Sequence, residues 1–191
     1  EIAKAVNDLG WRGIHDKSTP NRSQTNGVIE RAKKRLKEGT SATLERSGLN
    51  TAWWAEAMEY YSFLHCITDT MRENMTPYRT RFGVDFDGPR IPFGAAVGYK
   101  PSSQQGQSIL PRTGDDLLPG LFMGYALKSG GIWSQDVYVI DQNDLAEASN
   151  PSEVPLRRFE HQEVKLTANK KGKPSFPVAR GKIPQPDQYS P

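Results

Sequence analysis

Apolar residues recur along this chain in two rhythms, and the change from one to the other divides it. In the first part they return every three to four residues, as on the buried stripe of a helix. Ile2, Ala5, Val6 and Leu9 predict a short helix over 1–10 that stops at Gly10. Residues 11–15 (WRGIH) are short and apolar enough for a strand. Ile29, Ala32, Leu36, Thr43 and Leu44 then mark the buried stripe of a second helix, entered through Asn26-Gly27 and stopped near Ser47-Gly48. Gly39 falls in its middle, where glycine costs about 1 kcal/mol relative to Ala and would loosen the helix. A third helix covers 49–70, with Thr51 as the candidate N-cap and Trp54, Met58, Tyr61, Leu64, His65 and Thr68 as the stripe facing the core.

After 71–90, where Pro77, Gly83, Gly88 and Pro89 suggest a loop-rich linker, the rhythm shortens to β runs. Residues 91–101 read as one strand with close-packing glycines. Residues 117–141 hold two or three more, separated by Gly-rich turns such as 128–131. A polar loop spans 102–107. Beyond 150 the chain is polar and rich in Pro and Lys; 156–166 reads as a short strand or helix and 176–183 as a final strand. The pattern predicts an α+β protein: a helical part over 1–75, a linker over 76–90, a small β domain over 91–145 and a partly disordered basic tail over 146–191.

Composition narrows this picture. Of 191 residues 36% are hydrophobic, with 17 Gly and 14 Pro, which implies long loops or disordered ends. No apolar run approaches the roughly 20 residues that span a bilayer, and no signal-peptide pattern opens the chain. Cys66 is the single cysteine, so an internal disulfide and a Cys-based zinc site are excluded within the chain, and an intracellular setting is expected. The net charge of +3 is unevenly placed. Residues 1–47 hold ten Lys/Arg against six Asp/Glu, and 151–191 hold eight against four, flanking an acidic middle. Basic ends favour a polyanionic partner, although basic tails also serve solubility.

The candidate chemistry lies on the helix after Gly27. Glu30, Lys33, Lys34, Lys37 and Ser41 share the face opposite the stripe, placing one carboxylate in the first turn ahead of a ladder of ammonium groups. On its own, Glu followed by Lys at i+3 and i+4 is ordinary for a solvated helix. His15 reads as packed at a strand end, and Asp8 and Asp16 as surface residues. Asp85 and Asp87 do not make a calcium loop, because the required Gly and distal Glu are absent. His65 and Cys66 have no partner at metal spacing and read as packing residues. Lys170, Lys171 and Lys173 suit phosphate contact, a nuclear import address or simply a solvated tail.

The whole string STPNRSQTNGVIER, residues 18–31, resembles the sequence around the last acidic residue in the integrases of copia-type LTR retrotransposons. There a Ser-x-Pro stretch, Gln, Asn-Gly-Val and Glu-Arg occur in the same order. The 49–70 segment resembles the Trp-Ala-Glu-Ala helix that follows in that family, and Thr-Pro-Tyr (76–78) its linker. The later Phe-Gly, Pro-Gly-x-Phe-x-Gly-Tyr and Gly-x-x-Trp-like elements resemble its small SH3-like β-barrel; the family's usual Cys is replaced by Ala95.

The resemblance implies a partial RNase H-like core followed by that barrel, DNA (element ends and target) as partner, a homo-oligomeric and nuclear intact enzyme, and Mg²⁺ (or Mn²⁺) as cofactor. It makes Glu30 the last carboxylate of an Asp-Asp-Glu metal site, places Gln24 and Asn26 near the scissile phosphate, and sets Lys33, Lys34 and Lys37 against DNA. The family's second Asp stands about three dozen residues before the Glu, so it is expected ahead of Glu1, which would leave the chain inactive alone. The alternative is a non-catalytic DNA, chromatin or protein interaction module derived from a retroelement.

Overall fold

A computed structural model describes residues 27–71, 74–101, 116–169 and 171–187. The chain forms two compact units, residues 1–35 and 36–191. The predicted helix over 1–10, the strand over 11–15, the loop over 18–24 and the 102–107 loop lie outside the described residues.

Helix α1, Gly27–Ser47, has Glu30 in its first turn and ends as predicted. Gly48 takes a left-handed conformation (φ 79°), and its N–H donates to Leu44 O at 2.9 Å. The predicted stripe needs correction. Ile29 is 56% exposed, Ala32 is exposed, Leu36 and Thr43 are half-buried, and only Leu44 is buried. The buried face of α1 is instead Thr40, Leu44 and Ser47. Two of these are polar, yet each hydroxyl returns its proton to the helix: Thr40 Oγ1 donates to Leu36 O at 2.8 Å and Ser47 Oγ to Leu44 O at 2.7 Å. Gly39 is likewise not a loose point. A Cβ there would lie 1.8 Å from Cζ of Tyr61, so the glycine lets that ring lie against the helix backbone.

Helix α2, Trp54–Thr68, follows a 3-10 turn over Thr51–Trp53. The cap is Asn50 rather than Thr51: its side-chain oxygen accepts from Ala52 N at 3.1 Å. The buried stripe is Trp53, Ala57, Tyr60, Phe63 and Ile67, one position away from the predicted set. Apart from the side bearing Glu56, Glu59 and Ser62 this helix is mostly apolar or aromatic, so periodicity alone does not distinguish the two registers. The 76–90 segment is more structured than a linker. Thr76 caps α3, Pro77–Phe82, with Pro77 at its start and left-handed Gly83 (φ 74°) at its end. Its Tyr78 is buried in the same cluster as Phe63.

Five antiparallel strands form one sheet: β1 (Ala96–Tyr99), β2 (Leu118–Leu127), β3 (Trp133–Asp141), β4 (Arg157–Glu160) and β5 (Val164–Leu166), in the order β4-β3-β2-β1-β5. The β2–β3 hairpin turns where the Gly-rich signal predicted, with Gly131 N donating to Lys128 O at 2.9 Å. Val97 pairs with Gly120 on one side and Leu166 on the other. The sheet therefore draws its two edge strands from the segment expected to be tail, and Phe159 and Val164 enter the core. A short helix, α4 (Gln142–Glu147), follows β3.

The predicted strand over 176–183 is instead a run of turns, with Gly181 N donating to Val178 O at 2.9 Å and Lys182 N to Pro177 O at 2.9 Å. The backbone of buried Val178 and exposed Ala179 passes against Gly48. Gln185 then donates to Gly48 O at 2.7 Å and accepts from Asn50 N at 3.0 Å.

Two glycines with the same backbone conformation should differ in tolerance. At Gly83 a Cβ would meet nothing within 4 Å, whereas at Gly48 it would lie 2.2 Å from Ala179 N. Gly83→Ala is expected to cost about 1 kcal/mol from the left-handed conformation alone. Gly48→Ala should cost about 3 kcal/mol or more, because backbone must also move. Urea unfolding of the two variants measures the difference; equal losses would mean that the 176–187 segment does not press on the α1–α2 junction.

Candidate functional site

Along α1, Glu30, Lys33, Lys34 and Lys37 are all exposed. The helical repeat puts them on one side over about 10 Å of axis, at 1.5 Å per residue. Gln24 and Asn26 lie outside the described residues, so of the six predicted site residues the structure places these four. Arg31 and Arg35 are exposed on the same helix, which raises its positive charge density beyond the predicted ladder. Among the described residues no group of three His, Cys, Asp or Glu side chains could hold a metal ion. Nor is any described helix long and apolar enough to cross a membrane.

Elsewhere the surface carries an apolar cavity of about 480 Å³ between α2, α3 and the β2–β3 hairpin, lined by Met58, Phe63, Cys66, Tyr78 and Phe82 among others. Cys66 is exposed at this cavity rather than packed in the core, and partial desolvation by the neighbouring side chains pushes its thiol pKa up against the opposing charge of Arg81. That shift opposes thiolate formation, so the cysteine is poorly suited to nucleophilic work. His65 Nδ1 lies 2.7 Å from Asp69 Oδ1 one turn on, an arrangement local to the end of α2.

The buried polar pair is structural. Tyr99 donates to Asp141 Oδ2 at 2.6 Å, while Asp141 Oδ1 accepts from Asn143 N and Asp144 N and so caps α4. One carboxylate thereby joins β1, β3 and the helix that follows. Burial raises the Tyr99 hydroxyl well above the usual tyrosine range, and the bond to Asp141 adds to the shift. Tyr125 is raised by burial and then by Tyr60; its hydroxyl donates to Pro89 O at 2.8 Å and accepts from Ile91 N at 3.2 Å. None of these groups was singled out by sequence. A tyrosine in an alternating strand gives no sign that its hydroxyl will meet a carboxylate 42 residues away.

No family model, curated protein or solved structure matches the chain.

The raised tyrosines set the alkaline limit of stability. The unfolded chain releases tyrosine protons near pH 10, while the folded protein retains them at Tyr60, Tyr99 and Tyr125. The folded state then binds more protons, so stability is fully present below about pH 10 and falls as pH rises above it. In Tyr99→Phe this fall should be shallower, on a baseline lower by about 1–2 kcal/mol because Asp141 loses its donor. Urea midpoints measured from about pH 8 to about pH 11 test this; parallel curves for the two proteins would refute it.

Proposed function

We propose that the chain serves in DNA integration as part of a copia-type retrotransposon integrase, with α1 as its DNA-facing helix. The observation that carries this reading is the exposed row of Glu30, Lys33, Lys34 and Lys37 on one helix, preceded by the STPNRSQTNG string. On this reading α1 and α2 are the closing helices of an RNase H-like core. The sheet is a small SH3-like barrel, and its support is topological: a four-strand meander whose fifth strand returns, after a 3-10 turn at His161–Glu163, to pair with β1.

The lysines carry the binding. Ammonium groups along a solvated helix meet phosphate oxygens without reading bases, and each contact releases condensed counterions. Glu30 sits among them, where its carboxylate stands beside a bound backbone. Magnesium, or manganese in its place, is the cofactor the reading implies. Three converging carboxylates are needed for a two-metal centre, and the described residues supply Glu30 alone, so they do not fit the ion pair by themselves. No step is derived through it.

Fluorescence anisotropy of the chain with a short duplex DNA, taken over a salt series, tests the reading. Affinity should fall steeply with salt. Replacing Lys33, Lys34 and Lys37 by Ala should flatten the log–log slope by about 2–3, near 0.9 for each lost phosphate contact. Glu30→Gln should bind DNA at least as well as the parent. In a Mg²⁺-dependent strand-transfer assay the chain alone should give no product. Salt-independent binding, or a triple variant with an unchanged slope, would overturn the assignment of α1. Strand-transfer product from the chain alone would overturn the single-carboxylate reading.

A further inference from the structure

Beside the N-terminal half of α2 the surface folds into a cleft of two adjoining hollows. The smaller, about 160 Å³, is lined by Glu56, Glu59, Tyr60, Met123, Tyr125 and Tyr138 among others. The larger, about 410 Å³, is lined by Trp53, Glu56, Asn150, Ser152 and Val154 among others. Glu56 and Leu156 belong to both, so the hollows run into one another.

The charge of this cleft is opposite to that of the chain. Its net charge is +3, yet neither hollow has a Lys or Arg in its lining. The two arginines that follow Leu156 are already engaged: Arg157 with Asp144 at 2.6 Å, and Arg158 with Asp136. Glu56 has a helical reason for its place, since a carboxylate in the first turn of α2 interacts favourably with the helix N-terminus. Glu59, further along the helix, has none. No ion pair joins either carboxylate to a described Lys, Arg or His.

The walls add two features. Leu156 is 39% exposed where the hollows meet. Trp53, only 5% exposed, lines the larger hollow, and its Nε1–H has no hydrogen-bond partner among the described residues. A buried indole N–H without an acceptor is costly, and because Trp53 Nε1 is shut off from solvent a peptide carbonyl would reach it only with a shift of the ring.

We propose that this cleft binds an extended segment of a partner protein through one Lys or Arg side chain. The cation sits in the smaller hollow between Glu56 and Glu59, against the Tyr138 ring. Apolar residues beside it cover Leu156 and Trp53. Carboxylates supply charge-assisted hydrogen bonds and tyrosine faces favour a cation, while two hollows in series suit the alternating side chains of an extended chain. The site shares no residue with the α1 lysine face and does not depend on DNA binding.

The test uses the whole chain and a set of fluorescein-labelled seven-residue peptides, each with a central Lys, Arg or Gln flanked by Leu, Pro or Tyr. Anisotropy should show saturable binding of at least one Lys or Arg peptide, with Kd around tens of micromolar. The matching Gln peptide should bind about 10-fold more weakly or worse, and so should the cationic peptide to the Glu56→Gln/Glu59→Gln double variant. Both substitutions are at surface carboxylates, and an unchanged circular dichroism melt checks that the variant folds. The Lys33→Ala/Lys34→Ala/Lys37→Ala variant should bind the peptides as the parent does, and the Trp53 indole N–H resonance should move on titration. Equal affinity for the Gln peptide, full binding by the double variant, or no saturable binding by any peptide up to about 1 mM would overturn the proposal.

Discussion

Helix and sheet are held together by a ring cluster centred on Tyr125. From β2 it stacks on Tyr60 at 6.1 Å, meets Phe63 at 5.0 Å and Phe86 at 5.4 Å, and lies edge-on to Phe122 and Trp133. Such pairs each add roughly 0.5–1.5 kcal/mol beyond the area they bury. The hydroxyl of Tyr125 also closes the segment that enters β1, by bonding Pro89 and Ile91. One residue thus ties together α2, the region after α3 and the sheet. The 76–90 segment cannot act as a free tether, because Tyr78 and Phe86 are part of what fills this core.

This dependence explains which parts of the fold were legible in sequence. α1, its glycine stop and the β2–β3 hairpin were readable because caps, turns and alternation are local signals. The register of α2 was not, since apolar and aromatic side chains occupy most of its circumference outside Glu56, Glu59 and Ser62, and the sheet chooses which of them to cover. Gly39 read as a weakness for the same reason: its use is a close approach by Tyr61, a neighbour 22 positions on. The edge strands β4 and β5 were legible only as one short strand or helix over 156–166, because a single inward residue in each, Phe159 or Val164, carries the packing of an otherwise polar segment.

The candidate site divides similarly. Charge on α1 was evident from spacing alone, and the structure adds only that these side chains are exposed and that Arg31 and Arg35 add to their charge. The expected inward set, Ile29 and Ala32, faces outward, so the first turns of α1 present apolar and basic groups together. The Glu56–Glu59 cleft was illegible, because its second wall comes from residues more than sixty positions away. Acidic hollow and basic helix therefore give the chain two surfaces of opposite sign, which suits different classes of partner.

The junction at Gly48 carries a last consequence. Val178, Gln185 and Pro186 close over the elbow between α1 and α2 from the far end of the chain. A proteolytic nick or premature stop ahead of Phe176 would strip that clasp from Leu49 and Asn50 while sparing every strand of the sheet. The shortened protein would retain its five-stranded sheet and lose the contacts that pin the α1–α2 elbow, so trimming of the C-terminal segment would act on that junction rather than on folding of the sheet.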